Sequence, residues 1–378
     1  MKTMYCNHCG ALVFFESVLC VQCGYTLGFL PDLMDLAALE AEVAPYWKAL
    51  APSRRGSRYR ACANGRDYAV CNWWIPESDP ESFCVACRLN AVVPDISRPE
   101  NVALWHKLEL AKRRLVYTLR QLGLSIEGYP AKFWPRLQFR FLADIPGEPP
   151  VLTGHNDGVI TVNLAEADDA ERERRRSQFH ESQRTLVGHL RHESGHYYWD
   201  ALVAKSGWLD RFRSLFGDER IDYASALQAH YTAGPASDWE SRCVSAYASA
   251  HPWEDWAETW ANYLLMVDSL ETAAGFRMVL GSRAAADFPG ASVDPGKVPL
   301  GVGSFEGILK QWLALTCALN ALNRGAGLPD LYPVVLSPRA VEKLQFVHEI
   351  VSQPDGKYRP ERRKVVRTNS TPILQETT

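Results

Sequence analysis

The feature that most constrains the fold of this chain is an HExxH pattern, His-Glu-Ser-Gly-His at residues 192–196. Apolar residues recur around it at helical spacing and no proline interrupts residues 185–206, which predicts one long, mostly buried helix. Histidines at positions i and i+4 lie on the same face of a helix, one turn apart. His192 and His196 are therefore placed to bind one metal ion, with Glu193 beside it.

A second predicted helix supplies the third ligand that a catalytic zinc ion needs. It begins near Pro252, and Glu254 and Glu258 lie one turn apart on the same side of it. One carboxylate would bind the metal and the other would orient a ligand histidine. The alternatives are a solvated acidic first turn and two core histidines satisfied by neighbouring side chains. Tryptophans flanking the glutamates favour a buried helix.

Four cysteines near the start of the chain form a CxxC…CxxC pair with ten residues between its halves. They are Cys6, Cys9, Cys20 and Cys23. A glycine follows each half and lets the chain turn so that backbone amides face the thiolates. Four thiolates complete a tetrahedral site, so His8 is expected to be a bystander. The pattern predicts a zinc ribbon with one structural zinc ion.

Four further cysteines form a less regular group in which only the last two make a CxxC. They are Cys62, Cys71, Cys84 and Cys87. Between residues 54 and 90 the chain is polar, and Trp73 and Trp74 are almost its only large apolar residues. So small a core favours a second structural zinc ion. The alternative, disulfides or free thiols, remains open, although disulfides conflict with the reducing compartment inferred below.

The two helical motifs resemble those of the gluzincin metallopeptidases, in which a glutamate ligand follows HExxH on a later helix. In the branch whose second helix reads ExxAE, the first glutamate binds zinc and the second supports the site. The resemblance thus implies Glu254 as the ligand and Glu258 as its support. That branch also has a catalytic tyrosine seven residues before the ligand, where this chain has Tyr247. Its phenol would hydrogen-bond the oxyanion of the reaction; the alternative is an ordinary packed aromatic residue.

The chain also resembles, up to about residue 325, a bacterial family of zinc-binding metallopeptidases with an N-terminal zinc ribbon. The matching stretches are the ribbon cysteines, CNWWIP, CVACRLN, TGHNDGVITVNLAEADDAERERRR, TLVGHLRHESGHYYWD, FGDERIDYASALQAHY and YASAHPWEDWAETWANYL. One departure is Asn262, where a histidine is expected. This position lies two turns beyond Glu254, so it affects a peripheral contact only. The resemblance implies a class of chemistry and names no substrate.

Composition limits the remaining classes of protein. A chain of 378 residues with 47% hydrophobic and 22% charged residues is globular and long enough for two or three domains. Its net charge of −3 argues against a nucleic-acid-binding surface. No apolar run approaches the roughly 18 residues that span a bilayer, and the start lacks an apolar signal core. We therefore expect a cytoplasmic protein, with Cys243 and Cys317 as small buried residues.

The chain divides into four predicted regions. They are a zinc ribbon at 1–30, a linker helix (Leu33–Leu50) and second four-cysteine module within 31–95, a zincin-like catalytic domain at 96–352, and a disordered tail at 353–378. Inside the catalytic region we expect helices at 101–122, 304–323 and 338–352, a strand at 136–142, and a hairpin at 151–164 that turns at residues 156–158. The strand Val159–Leu164 is expected to form the wall of the cleft and pair with extended substrate. The charged run at 166–176 is interpreted as a solvated face or a helix end.

The sequence therefore predicts an α+β, zincin-like metallopeptidase domain preceded by a zinc-ribbon type cysteine module. His192, His196 and Glu254 would hold one catalytic zinc ion, Glu193 would act as general base, and Tyr247 would stabilise the oxyanion. The substrate would be a peptide or protein.

Two alternatives to this peptidase remain. An amidase that acts on a crosslink or a modified terminus needs the same metal centre. In the other, the cysteine module is a protein or nucleic-acid adaptor and the zincin domain is a scaffold, although a mere scaffold has no need of Glu193. In the peptidase, the ribbon would bind a protein partner, gate the cleft or add stability.

Overall fold

The structure is a computed structural model, and it describes residues 1–129, 134–172, 174, 185–280, 304–332 and 335–353. The predicted tail lies outside these residues, apart from Gln353. The α+β class is confirmed, because sheets dominate the N-terminal part and helices dominate the rest. No helix in the described ranges is both long and apolar enough to cross a membrane.

The described strands form three sheets. The strands are β1 (Met4–Tyr5), β2 (Leu12–Val13), β3 (Thr26–Leu30), β4 (Asp35–Ala41), β5 (Trp47–Ala49), β6 (Arg58–Ala61), β7 (Trp74–Pro76), β8 (Asn90–Val92), β9 (Gln138–Leu142), β10 (Gly154–Asn156) and β11 (Val159–Asn163). The first sheet is the antiparallel pair β1–β2 of the ribbon. The second is antiparallel, in the order β3-β4-β5-β6-β7, and the third has the order β10-β11-β9-β8.

The second sheet corrects the sequence analysis. The helix predicted at Leu33–Leu50 is wrong, because β4 and β5 occupy this stretch. Side chains of β4 alternate between two apolar clusters, with Leu36 and Ala38 on one face and Ala37 and Leu39 on the other. Strands pair with both edges of β4 and an apolar cluster covers each face, and this burial outweighs the helix propensity of alanine and leucine.

The third sheet forms one wall of the cleft. Its hairpin of β10 and β11 is confirmed, and the turn uses positive φ angles at Asp157 (47°) and Gly158 (85°). The prediction that Val159–Leu164 offers a pairing edge is wrong, because β11 is paired with β10 on one side and β9 on the other. In the described part of this sheet, the strand with an unpaired side toward the cleft is β10.

The helices cover most of the C-terminal two-thirds of the chain. They are α1 (Ala63–Tyr68), α2 (Pro99–Gln121), α3 (Leu186–Leu202), α4 (Leu209–Phe216), α5 (Tyr223–Ala233), α6 (Trp239–Arg242), α7 (Pro252–Gly275), α8 (Phe305–Gly325) and α9 (Pro338–Ser352). All five predicted helices of the catalytic region therefore form. They are the helix around the HExxH pattern, the helix that begins near Pro252, and the helices predicted at 101–122, 304–323 and 338–352.

One aromatic cluster joins the cysteine module to α2. The Phe29 and Trp73 rings lie 4.6 Å apart, and Phe15 packs edge-on against Tyr117 of α2 at 5.6 Å. These residues belong to the same buried apolar core as α3 and α7. The limits of the regions 1–30, 31–95 and 96–352 stay predictions, and the core crosses the boundaries they propose.

Candidate metal centre

Helices α3 and α7 pack closely enough to bring their polar residues together. Gly195 makes this possible, since a Cβ atom there would lie 2.9 Å from the Cα of Ala257 on α7. The indole of Trp256 donates to the carbonyl oxygen of Gly195 at 2.8 Å. Two residues fix the start of α7. Pro252 lies in its first turn, and Nδ1 of His251 accepts a hydrogen bond from the backbone N–H of Trp253 at 3.0 Å. The glutamates of its first two turns consequently face the HExxH pattern.

The three predicted ligand residues converge on one point. One nitrogen each of His192 and His196 and a carboxylate oxygen of Glu254 all lie within 4.8 Å of one another. Nε2 of His192 is 3.0 Å from Oε2 of Glu254, and Nε2 of His196 is 3.7 Å from Oε1. Despite its burial, which opposes ionisation, the two histidines hold the pKa of Glu254 well below its usual value.

The two oxygens of the Glu254 carboxylate have different surroundings. Its Oε1 accepts a hydrogen bond from the Tyr223 hydroxyl at 2.7 Å. Its Oε2 is fully buried and has no hydrogen-bond partner among the described residues. A buried carboxylate oxygen beside two imidazoles costs free energy unless a cation satisfies it. The donor set of two nitrogens and one oxygen suits zinc.

Glu258 lies behind His192 and does not join the cluster of ligand atoms. Its Oε1 is 2.7 Å from Nδ1 of His192, and its Oε2 accepts from the Ser245 hydroxyl at 2.6 Å. The carboxylate therefore orients the ring whose Nε2 faces the other ligands. Asn262, at the position where a histidine is expected, donates to the backbone carbonyl of Glu258 at 2.9 Å.

Glu193 is held by a histidine that the sequence analysis missed. Nε2 of His189 lies 3.2 Å from Oε1 of Glu193, and Nδ1 of His189 lies 2.6 Å from Oε2 of Glu166. Burial alone would lower the pKa of His189, but the carboxylates of Glu166 and Glu193 raise it to about 10. Glu166 is buried and also accepts from the Thr153 hydroxyl, so the prediction that the run at 166–176 is a solvated face is wrong for its first residue.

Tyr247 reaches the site from a short 3₁₀ turn just before α7. Its ring centroid is 6.0 Å from that of His192, and it lines the same cavity as the three ligand residues. Burial, and then the charge of Glu254, raise the pKa of the Tyr247 phenol well above its usual value, so the hydroxyl stays protonated. A protonated phenol is a hydrogen-bond donor.

The site opens into a cavity of about 2050 Å³. β10 lines one side of it, α5 lines another, and the ligand residues are on its wall. Asp200, one turn beyond His196, also faces the cavity. Burial and the nearby carboxylate of Asp157 raise the pKa of Asp200 to about 6.

Both cysteine groups have the geometry of tetrahedral thiolate sites. Within each group the four sulfur atoms lie within 4.8 Å of one another. Three measured Sγ–Sγ distances are 3.7 Å for Cys6–Cys23, 3.6 Å for Cys9–Cys20 and 3.8 Å for Cys71–Cys84. A disulfide needs about 2.05 Å. Four sulfurs at roughly 2.3 Å from a zinc ion define a tetrahedron with edges of about 3.8 Å.

Helix α2 places buried charges against the second cysteine group. Arg113 donates to the carbonyl oxygen of Val70, next to Cys71, and Glu109 contacts the sulfur of Cys87. Glu109 also pairs with Lys112 at 2.9 Å. A zinc ion with four thiolates carries two net negative charges, and the cation of Arg113 lies near three of these sulfurs. The second cysteine site is thus built partly from α2.

Sequence reasoning missed three side chains at the metal centre, namely His189, Glu166 and Tyr223. His189 had a visible signal, since it lies four residues before Glu193 on the same helix. Tyr223 falls in the stretch FGDERIDYASALQAHY, which had no assigned role. For Glu166 only the charge pattern was available, and charge pattern does not reveal burial.

A mixed helix-and-sheet fold with a His-His-Glu cluster in a cleft and paired cysteine groups at its N-terminal end is typical of zinc-binding metallopeptidases. Residues 101–350 match the sequence profile of the family described as "Putative zinc-binding metallo-peptidase", and residues 3–98 match a zinc-ribbon domain. The chain belongs to this metallopeptidase family.

The chain is similar to uncharacterised proteins of Mycobacterium tuberculosis and Mycobacterium bovis. Each is 39% identical over 363 residues, which covers 95% of this chain and 98% of the relative. No solved structure matches the chain. These relatives therefore point to no activity.

Proposed function

We propose that this protein is a zinc-dependent peptidase that hydrolyses a peptide or related amide bond, with a centre of the gluzincin type. The observation that carries the proposal is the convergence of His192, His196 and Glu254 beside Glu193 in one cleft. A zinc ion held by these three residues supplies a Lewis acid and a water molecule whose pKa is lowered toward about 7. The remaining steps belong to the side chains of the chain itself.

Glu193 is proposed as the general base. His189 donates to one of its oxygens, which fixes the carboxylate and leaves its other oxygen for the attacking water. Glu193 accepts the proton of that water and passes it to the leaving amine. Glu258 keeps His192 in the orientation that points Nε2 into the site.

Tyr247 is proposed to stabilise the oxyanion that forms at the attacked carbonyl. Its phenol is protonated and close to His192, as such a donor must be. An extended substrate would pair with the unpaired side of β10, which replaces the strand that the sequence analysis chose. A cavity of this size admits a polypeptide segment.

We further propose three zinc ions per chain, one catalytic and two structural. Sulfur distances close to the edge of a zinc–thiolate tetrahedron support both structural sites. All ten cysteines are described and none forms a disulfide, which suits a reducing compartment, so we propose a cytoplasmic location.

A protein partner at the zinc ribbon is the second candidate function. Exposed apolar side chains are concentrated there. They are Tyr5, Leu12, Phe14, Val18, Leu19 and Val21, and Val21 is 98% exposed. Such a surface is typical of protein-binding sites. It supports a partner in addition to the cleft and does not replace the peptidase.

The peptidase proposal is tested by comparing wild type with Glu193→Gln. Both proteins are incubated with a proteome-derived peptide library, and new termini are identified by mass spectrometry. We expect cleavage by wild type only, with a rate loss of roughly 10²–10⁴-fold in the variant at equal zinc content. Equal cleavage by both proteins excludes the proposed base. Absence of new termini with zinc-loaded wild type favours the amidase alternative, which crosslinked or terminally modified peptides then test.

A further inference from the structure

Helix α5 places the Tyr223 phenol within hydrogen-bond distance of a predicted metal ligand. The Tyr223 hydroxyl donates to Oε1 of Glu254 at 2.7 Å. The other oxygen of this carboxylate, Oε2, lies 3.0 Å from Nε2 of His192 but is not aligned for a hydrogen bond with it or with another described residue. The phenol therefore fixes the rotation of the carboxylate and leaves Oε2 for a metal ion.

The rest of α5 is weakly attached to the protein. None of its 11 residues is buried, although surface helices normally bury an apolar face. A helix of this length is not stable by itself in water. Its order therefore depends on a few contacts, which include the packing of the Tyr223 ring against His251 at 5.1 Å and several contacts with the site. Besides the bond from Tyr223 to Glu254, His230 packs edge-on against Tyr247 at 5.9 Å, and Tyr231 also interacts with Tyr247.

The segment has a glycine in the left-handed region on each side. Gly217, at the end of α4, has φ of 107°, and Gly234, at the end of α5, has φ of 82°. Tyr223, His230 and Tyr231 line the cavity from this segment. Covering segments that move are often bounded by small residues of this kind, which absorb the change in backbone angles.

We propose that Tyr223 is a positioning residue of the metal centre and that its hydrogen bond to Glu254 fastens α5 as a movable cover over the cleft. The proposal rests on the proposed function in one respect, namely that Glu254 is a zinc ligand. Release of the Tyr223 phenol would free α5 to turn away about the two glycines, which widens the cleft for a polypeptide. The stretch FGDERIDYASALQAHY thus acquires a role at the site.

The test compares Tyr223→Phe with Tyr231→Phe as a control. The Tyr231 hydroxyl lies on the same helix and the same cavity wall, but it is not hydrogen-bonded to Glu254. Zinc affinity of the His-His-Glu site is measured by chelator competition on the full chain, with the cysteine sites loaded. We expect Tyr223→Phe to bind zinc roughly 10- to 100-fold more weakly, as is usual when a group that orients a ligand is lost. Tyr231→Phe is expected to bind zinc as tightly as wild type, because Tyr231 contacts Tyr247 and not a predicted zinc ligand.

Hydrogen–deuterium exchange then separates a cover from a general structural role. In zinc-loaded Tyr223→Phe we expect faster exchange confined to 218–234, with α3 and α7 as protected as in wild type. Wild-type zinc affinity in Tyr223→Phe overturns the positioning role. Unchanged exchange at 218–234, or faster exchange that includes α3 and α7, overturns the cover. Neither measurement requires turnover, and failure of wild type to bind zinc at this site would expose an error in the proposed function before any variant is made.

Discussion

Nε2 of His189 lies 3.2 Å from Oε1 of Glu193, and the other nitrogen of the same ring lies 2.6 Å from Glu166. The imidazole is thus held between two carboxylates, Glu166 at the start of the charged run 166–176 and Glu193 of the HExxH pattern. With a pKa of about 10 it is protonated at neutral pH, so both nitrogens donate. The orientation of the proposed base is therefore set by a side chain that is not one of the predicted metal ligands.

We predict that His189→Ala lowers kcat by roughly 10- to 100-fold without loss of zinc, because Glu193 becomes free to rotate. His189→Gln should recover part of the loss, since its amide donates one hydrogen bond. Turnover on a peptide identified in the library experiment is measured beside zinc content by elemental analysis. Wild-type kcat in His189→Ala would show that Glu193 needs no such support.

A second prediction separates the two glutamates of α7. Glu254→Gln should abolish zinc binding at the His-His-Glu site. Glu258→Gln should weaken it by roughly 10- to 100-fold, because Glu258 reaches the predicted ligands only through Nδ1 of His192. Isothermal titration with zinc, after the cysteine sites are filled, measures both. If Glu258→Gln loses zinc outright and Glu254→Gln keeps it, the ligand and its support are exchanged, and the placement of Tyr247 fails with them.

The third prediction concerns zinc stoichiometry. Protein purified without added metal should contain three zinc ions, and Cys9→Ser and Cys84→Ser should each remove one. Mild chelation should release the ion of the His-His-Glu site first, because a catalytic site keeps an open position and the thiolate sites are closed. Elemental analysis after each step tests the order. One zinc ion or fewer in wild type would contradict the presence of two thiolate sites.

The fourth prediction concerns the close contact of α3 and α7. In Gly195→Ala the new methyl group would meet the Cα of Ala257 at 2.9 Å, so the helices must separate. We expect a loss of about 1–3 kcal/mol in the free energy of unfolding, together with weaker zinc binding. Chemical denaturation of the apo and zinc-loaded forms measures both effects.

Gly325→Ala is the matched control for this change. It also lies in a helix, and nothing lies within 4 Å of its Cβ position. The control should be neutral or slightly stabilising, since alanine favours the helix more than glycine does. Equal stability of both variants would mean that the two helices do not depend on Gly195 for their spacing.

The fifth prediction is a pH dependence of stability at Asp200. The pKa of Asp200 is raised from 3.8 to about 6, so the folded chain holds this proton more tightly than the unfolded chain does. Ionisation therefore destabilises the fold as pH rises from about 4 to above 6. Asp200→Asn should be more stable than wild type at neutral pH, and the gain should vanish near pH 4. Thermal unfolding across this range, at fixed zinc content, measures it. A gain that is constant with pH would contradict the raised pKa.

Sequence periodicity was sufficient for the long helices and for placing His192 and His196 on one helix face, because the i and i+4 geometry of a helix is local. It left Glu254 and Glu258 open as the third ligand, and only the resemblance to the gluzincin branch chose Glu254. It failed at Leu33–Leu50, where pairing between strands decides the structure and alanine-rich sequence misleads. It also failed to choose the free strand of the cleft, since the order of strands in a sheet depends on distant partners. Tyr223 and Glu166 are distant from the motif in sequence, so only the packed chain brings them to it.

The aromatic contact between Phe15, Phe29, Trp73 and Tyr117 has a consequence for biosynthesis. The cysteine module leaves the ribosome before α2, so the face of Phe29 and Trp73 is without its cover until Tyr117 has been synthesised. α2 in turn packs against α3. If a lack of zinc delays the folding of the N-terminal module, the face of α2 that contacts this module stays exposed. We therefore expect the metal supply during translation, and not only afterwards, to determine how much of the chain reaches its native state.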